Sequence, residues 1–393
     1  MCSVRMMTAA TVGGALTFGM ALALLGRLQL TVARRASAQD SALRHGLLAL
    51  NIALVPLMLL SGVLLDIYGT RALLVAGSVM LAVALVGLSL QLPSASVSSP
   101  RTGEIGRAAA AIMFLAGFGA SVLGTASIVL MPRALLIWGE TAAALNLGFV
   151  FLALGALLTH TLADILLEKI QLRRSLAVFA LLGLAPAFLG VLPDDLLAAG
   201  PQVEGGWGGD GQPAALFAGP ACWLAALVLF FYVPLEASIS LWTFALLRER
   251  GKEEHAATSV LSGFWTAFVV SRLVAALLPQ NFSFSRWAGE RTAIVVLPIL
   301  AAVLLGNLAG AGSRGRLRGG LVLLGLLLGP VLPTLLSVVF GTTPDAKGTA
   351  FGLLFAAGSL GSMILAPFLS LRLPIFLALL VAAAALVLGL MTP

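Results

Sequence analysis

The chain has 393 residues, of which 60% are hydrophobic and only 10% are charged. A soluble globular protein carries about 25% charged residues, so this chain has too few charges to cover a water-facing surface. Its mean hydropathy of +1.07 agrees with that deficit. These values exclude a soluble protein and indicate that lipid surrounds most of the molecule.

The formal net charge of +7 would suggest a nucleic-acid partner in a soluble protein. Here the basic residues lie in short segments between apolar stretches, where they hold helix ends at anionic headgroups. We therefore expect the lipid bilayer as a partner and no nucleic acid. The two cysteines, Cys2 and Cys222, have no metal-ligand neighbours, so neither a metal centre nor a cofactor is expected.

Twelve apolar runs are long enough to cross a bilayer, which takes about 20 helical residues. The first six are Thr8–Gly26, Gly46–Leu65, Ala72–Leu92, Ala108–Met131, Ala142–Leu166 and Ser175–Leu192. The last six are Pro220–Leu247, Ala256–Leu278, Ala293–Gly310, Gly319–Phe340, Thr349–Leu371 and Pro374–Leu390. We number these predicted spans 1 to 12.

The segment 193–219 separates spans 6 and 7 and has the composition of a linker. It is rich in glycine and proline, is acidic, and contains no lysine or arginine. The sequences GFVFLALG in span 5 and GLLFAAGS in span 11 are similar and favour a duplicated unit. The prediction is an all-α membrane protein with two pseudo-symmetric six-helix bundles, 1–192 and 220–393, and a solute site between them.

The segment GVLLDIYGTR, which begins at Gly62, follows the pattern G-x-x-x-D-x-x-G-x-R between spans 2 and 3. It resembles the loop signature of the major facilitator superfamily. The resemblance implies a twelve-helix transporter fold in which Gly62, Asp66, Gly69 and Arg71 brace one conformation as a gate. Arg133, at the end of span 4, is the natural partner for Asp66. An ordinary charged turn is the alternative.

Four segments in the second half of the chain resemble one particular branch of this superfamily. YVPLEASISLW, GFWTAFVVSRLVAALL, GLLLGPVLPTLLSVV and GTAFGLLFAAGSLGSMILAP follow one another. Together they resemble the fucose permease-like branch of the superfamily, which consists of sugar:proton symporters. That branch keeps carboxylates on spans 1 and 4, and here both spans have none. The family places both termini in the cytoplasm, whereas the loop arginines favour the opposite orientation. The coupling ion and the orientation therefore stay open.

Glu236 lies near the middle of span 7, although a charged residue at the bilayer centre costs about 2.5–3.5 kcal/mol. We therefore expect it to face the bundle interior. Tyr232, Glu236 and Ser240 are spaced i, i+4 and i+8, which places them on one helix face. Trp242 adds an aromatic surface. This polar helix face predicts a solute or proton site. The alternative is a buried carboxyl that a neighbouring helix satisfies by hydrogen bonding.

Three further residues complete the candidate set. Trp265 in span 8 lies near the level of Glu236, and Asn146 in span 5 is the best candidate of the first half. Arg272 lies roughly 7.5 Å deeper than Glu236 along span 8. A structural role near the end of that span is favoured for Arg272 over a role as counter-charge.

These patterns predict a secondary active transporter of a small polar solute, with a sugar as the first candidate and a proton as the candidate coupling ion through Glu236. We expect a monomer in the cell (inner) membrane, with several crossings. An intramembrane enzyme would need paired carboxylates, histidine clusters or a metal motif within the spans, and the sequence shows none. We therefore expect no enzyme, and the alternatives are a polytopic membrane enzyme or a non-transporting sensor with a transporter fold.

Overall fold

A computed structural model describes residues 2–35, 41–91, 102–135, 140–169, 172–190, 220–249, 254–277, 290–309 and 314–365. Within these ranges the chain is almost entirely helical and contains no strand. The predicted linker 193–219 and predicted span 12 lie outside the described residues.

The described helices follow the predicted spans in chain order. In the first half they are α1 (Cys2–Arg35), α2 (Ser41–Gln91), α3 (Thr102–Ala134), α4 (Thr141–Lys169), α5 (Leu172–Gly183) and α6 (Ala185–Gly190). In the second half they are α7 (Pro220–Glu249), α8 (Glu254–Leu277), α9 (Glu290–Ala309), α10 (Arg314–Leu328), α11 (Val331–Thr342) and α12 (Lys347–Leu365). Spans 2 and 3 share α2, while α5 with α6 and α10 with α11 each form one span.

Seven helical segments in the described part of the chain are long and apolar enough to cross a membrane, and three shorter apolar segments accompany them. One of the seven, Val55–Leu90, has 36 residues. A single crossing takes about 20 residues, so this segment accommodates both spans predicted for it. The chain is therefore a multi-pass membrane protein.

Gly69 interrupts α2 between these two crossings. Its backbone angles are φ 80° and ψ 165°, and the rest of α2 continues as helix on both sides. L side chains rarely adopt this φ, whereas glycine does so without a steric penalty. A Cβ at this position would meet no atom within 4 Å. The backbone conformation, not a lack of space, therefore explains why glycine occupies the position.

The chain divides into two compact units. The first comprises Met1–Ala134 and Phe151–Gly209, and the second comprises Leu135–Val150 and Asp210–Pro393. The first part of α4 therefore belongs with the helices of the second half. The division into bundles 1–192 and 220–393 stays a prediction.

A glycine-mediated helix contact occurs in equivalent places in both units. In the first unit, a side chain on Gly155 of α4 would collide with the backbone of Leu16 in α1. In the second, a side chain on Gly361 of α12 would collide with the backbone of Phe230 in α7. Small residues allow this close approach of helix backbones in lipid. The pairs are spans 1 and 5 and spans 7 and 11, as pseudo-symmetric bundles require.

Candidate functional site

The second unit contains a broken helix inside the membrane. Gly329 and Pro330 separate α10 from α11, within the apolar segment Gly315–Thr342. Proline has no N–H and removes the helical hydrogen bond to the carbonyl four residues earlier. Pro333 therefore cannot donate to the Gly329 carbonyl. In hydrocarbon no water is present to replace the missing donor, so another protein group has to supply it.

Two side chains from neighbouring helices supply donors at this break. Arg272 of α8 donates from Nε to the Gly329 carbonyl at 2.8 Å. Tyr232 of α7 donates its hydroxyl to the carbonyl of Leu328 at 2.9 Å. Leu328 ends α10, and the last carbonyls of a helix lack an intrahelical donor. Both side chains are buried, so they stabilise backbone oxygens that lipid cannot solvate.

Aromatic rings surround the Arg272 guanidinium. The side chain is only 4% exposed. Its Cζ lies 4.3 Å from the ring centroid of Phe268 and 5.2 Å from that of Phe149. A guanidinium within about 6 Å of a ring centroid is attracted by the ring's quadrupole. The guanidinium is thus held by one carbonyl and two rings.

Glu236 is an acidic residue of α7 on which this guanidinium acts electrostatically. It follows Tyr232 by one turn of α7 and is half-buried. The groups that act electrostatically on its carboxyl are Arg272 and Tyr232. The three side chains form a polar cluster, which we call the Tyr232–Glu236–Arg272 cluster. Its opposite charges reduce the cost of placing an acid in the membrane.

Arg272 has two interactions in the structure, whereas the sequence favoured only a structural role near the end of span 8. It makes the structural hydrogen bond near the end of α8 and also acts electrostatically on Glu236. The axial offset from Glu236 did not separate the two groups, because an arginine side chain is long and its head can lie away from its own Cα. The sequence signal for this cap was the two prolines of GPVLP in span 10, which leave backbone carbonyls without donors.

Trp265 belongs to an aromatic group on α8. Its ring lies 5.0 Å from Phe264 and 5.5 Å from Phe268, both in edge-to-face arrangements. Such pairs are preferred geometries for aromatic rings. Phe268 also contacts Arg272, so the half-buried Trp265 connects to the cluster through one ring. Trp242 is buried on α7, and the side chain of Ser240 lies outside the described residues.

Asn146 carries a buried acceptor without a partner in the described part of the chain. Its Nδ2 donates to the carbonyl of Ala142 at 2.9 Å, while Oδ1 has no hydrogen-bond partner. Leaving such a group unsatisfied costs about 1–3 kcal/mol. Phe149, one turn further along α4, contacts Arg272. Asn146 therefore offers an unused acceptor on a helix that reaches the Tyr232–Glu236–Arg272 cluster.

The predicted gate residues lie in the first unit. Gly62 is buried, Asp66, Arg71 and Arg133 are half-buried, and Gly69 is exposed. Asp66, Arg71 and Arg133 each take part in an interaction in the structure. The pairing of Asp66 with Arg133 stays a prediction.

No group of three or more histidine, cysteine or acidic residues within the described ranges is arranged to hold a metal ion. The polar groups in this region are a carboxyl, a guanidinium, a phenol and an amide. Groups of these kinds can form hydrogen bonds with hydroxyl groups.

The chain has the major facilitator fold, because it superposes over nearly its whole length on solved transporters of that fold, which confirms the fold predicted from sequence. The E. coli fucose:proton symporter FucP superposes with a TM-score of 0.71 at 15% identity, covering 98% of this chain and 99% of that chain. The proton:xylose symporter XylE gives 0.68 at 14% identity, covering 99% of this chain and 95% of that chain.

Solved structures with other cargoes match as well. A bacterial homologue of the iron transporter ferroportin, in an outward-facing state, gives a TM-score of 0.72 at 15% identity and covers 98% of each chain. No protein-family model and no curated protein matches the sequence. The similarity therefore establishes the fold, and the solute has to be inferred from the residues of this chain.

Replacing Tyr232 by phenylalanine is expected to destabilise the protein by about 1–3 kcal/mol, because the Leu328 carbonyl then loses a buried donor. The apparent Tm in detergent measures the effect. Tyr68, the only other tyrosine of the sequence and 66% exposed, supplies the control Tyr68→Phe. A Tyr232→Phe variant as stable as this control would show that the hydroxyl does not support the broken helix.

Proposed function

We propose that the chain is a secondary active transporter of a small polar solute, working by alternating access in the cell (inner) membrane. The observation that carries the proposal is the Tyr232–Glu236–Arg272 cluster at the broken helix of a protein with the major facilitator fold. Buried ionisable groups within membrane spans are costly, and they commonly mark a solute or ion pathway. Irregular backbone at membrane depth is tolerated where it is enclosed by protein or lines a cavity.

A neutral monosaccharide is the solute class that these residues favour. Asn146 offers an unused carbonyl oxygen and Glu236 a carboxyl, and both groups can accept hydrogen bonds from hydroxyl groups. Trp265 supplies a half-buried aromatic ring near the same cluster. Acceptors for hydroxyls beside an aromatic ring suit a sugar, which has hydroxyls on its rim and C–H groups on its face. Trp242 and Ser240 remain candidates on α7.

Glu236 is proposed to carry the coupled proton. Burial among apolar groups favours the neutral acid, while a nearby guanidinium favours the carboxylate. A conformational change that alters the separation of Glu236 and Arg272 therefore changes the tendency of the carboxyl to hold a proton. One such group is sufficient for coupling, which agrees with the lack of carboxylates in spans 1 and 4.

The gate proposed for the other unit consists of Gly62, Asp66, Gly69, Arg71 and Arg133. The conformation of Gly69 supports it, because a rigid interruption of α2 keeps Asp66 and Arg71 at a helix end. We propose that these residues stabilise one of the two alternating conformations. The working unit is proposed to be a monomer.

Solute counterflow in proteoliposomes tests the proposal. Purified protein is reconstituted, the vesicles are loaded with an unlabelled monosaccharide, and uptake of the same labelled sugar is followed for a panel of neutral hexoses and pentoses. We expect saturable counterflow for at least one of them, and protein-free vesicles serve as the control. Counterflow of none of the sugars would remove this solute class. Binding detected by a thermal shift without any counterflow would instead identify a sensor.

A further inference from the structure

An open groove runs along the surface between α8 and α10, apart from the Tyr232–Glu236–Arg272 cluster. Its volume is about 610 Å³. The residues that line it are Ser259, Ser262, Gly263, Thr266, Ala267, Val270, Arg318, Val322 and Leu326. Both helices belong to the second unit, so the groove is formed within that unit.

The two helices that form the groove run parallel. Gly263 of α8 lies close to Val322 of α10, and Ser271 of α8 lies close to Gly329. Residue numbers therefore increase in the same direction on both helices, with an offset of almost 60. With this offset, Arg318 lies level with Ser259. The groove thus has one end at the beginning of both helices and another end deeper along them.

The groove is polar at one end and apolar at the other. Ser259 and Ser262 lie with Arg318 at the beginning of the helices, and Ser259 and Arg318 are exposed there. Val270 and Leu326 lie at the deeper end, where they are 43% and 38% exposed. Exposed apolar side chains on a membrane-spanning helix are solvated by lipid. The groove therefore has the polarity of an amphiphile with an anionic head.

The length of the groove agrees with a lipid from one leaflet. The two helices begin at Glu254 and Arg314, and charged residues precede the apolar part of each, so the polar end lies near a membrane surface. From Ser259 to Val270 the helix rises roughly 16 Å at 1.5 Å per residue. This is about half of the roughly 30 Å hydrocarbon core. An acyl chain that starts from a headgroup at Arg318 would reach the apolar end at the middle of the bilayer.

We propose that the α8–α10 groove binds one anionic phospholipid, with its phosphate at Arg318 and one acyl chain along Val270, Val322 and Leu326. Charge complementarity selects the headgroup, since a guanidinium donates paired hydrogen bonds to phosphate oxygens. Basic sites between membrane helices are established binding places for anionic headgroups. The hydroxyls of Ser259 and Ser262 line the same end and can contact the glycerol and phosphate oxygens. The proposal does not depend on solute transport.

Lipid binding to the full-length protein in detergent tests the proposal, with phosphatidylglycerol and phosphatidylcholine of identical acyl chains as probes. Native mass spectrometry counts bound lipids during a titration. We expect tighter binding of phosphatidylglycerol, and the Arg318→Ala variant should bind it about fivefold more weakly, as expected for one basic residue near a membrane surface. Arg316→Ala is the matched control, because Arg316 is an exposed arginine of the same turn that does not line the groove.

Four outcomes would overturn the proposal. Equal binding of the two lipids would remove the headgroup selection. An equal loss in Arg316→Ala would show a diffuse electrostatic attraction and no defined site. Competition by inorganic phosphate at the concentration of the lipid would show that the site takes free anions. A Val270→Trp variant, which fills the apolar end, should weaken phosphatidylglycerol binding while leaving Arg318 in place, and unchanged binding would contradict the position of the acyl chain.

Discussion

Replacing Arg272 by methionine is expected to destabilise the protein more than any other single change in the candidate site. The change removes the donor to the Gly329 carbonyl and takes the guanidinium away from Glu236. Leaving a buried acceptor without its donor costs about 1–3 kcal/mol, and the loss is larger where a charged group is involved. Methionine keeps most of the side-chain volume, so the loss reports the polar contacts and not a cavity. The apparent Tm in detergent measures the effect.

The matched control for this variant is Arg174→Met, because Arg174 is an exposed arginine at the beginning of α5. Its loss should leave the apparent Tm almost unchanged, as is usual for exposed charges.

A double-mutant cycle with Glu236→Gln separates the two roles of Arg272. If Glu236 is an important partner, Arg272→Met should cost less in the Glu236→Gln background, because no unpaired charge remains. The coupling energy is expected to be about 1–3 kcal/mol. The remaining loss belongs to the Gly329 carbonyl, which still lacks its donor. Additive effects would contradict an interaction between Arg272 and Glu236.

Replacing Glu236 by glutamine is expected to reduce strongly the solute accumulation driven by a proton gradient and to preserve counterflow. Glutamine has almost the same shape and keeps an acceptor oxygen, but it cannot bind and release a proton. We expect gradient-driven uptake to fall by about tenfold or more, equivalent to roughly 1.4 kcal/mol in the limiting step. The measurement is uptake of a labelled sugar that supports counterflow, with and without an imposed pH gradient.

Asp345→Asn provides the control, since Asp345 is an exposed acid outside the cluster. Both the gradient-driven and the counterflow activities of this variant should equal those of the unmodified protein. Retained accumulation in Glu236→Gln would remove Glu236 as the proton carrier while leaving the transporter proposal intact. Loss of both activities would place Glu236 in the solute site, because counterflow and accumulation both require the solute to bind.

The fold was predictable from the sequence because each membrane span has to satisfy its own backbone hydrogen bonds. Each span therefore appears in the sequence as a separate run of about 20 apolar residues. The helices α1 to α12 correspond to the first eleven predicted spans, since some spans share a helix and others consist of two. The pattern beginning at Gly62 carried the resemblance to the major facilitator superfamily, whose fold the comparisons confirm. The exceptional φ of Gly69 lies within that same pattern.

The candidate site was predictable only in part. The position of Glu236 in an apolar run and its spacing from Tyr232 were visible, since both belong to one helix. The role of Arg272 was not, because it depends on how far a long side chain extends and on which carbonyl lacks a donor. The unpartnered Oδ1 of Asn146 was also invisible, since nothing in a sequence reports that a buried acceptor has no donor.

The sequence by itself determined that this is a membrane protein. It also showed which apolar segments are long enough to cross the bilayer, and that the acidic residue Glu236 lies within one of them. Those properties follow from the free energy of transfer of each residue, which is local. Only the tertiary structure showed that side chains of α7 and α8 donate hydrogen bonds to the carbonyls at the break between α10 and α11. It also showed that α8 and α10 form a groove that is polar at one end and apolar at the other. These arrangements depend on the register of parallel helices and on side chains from separate spans, which no local pattern encodes.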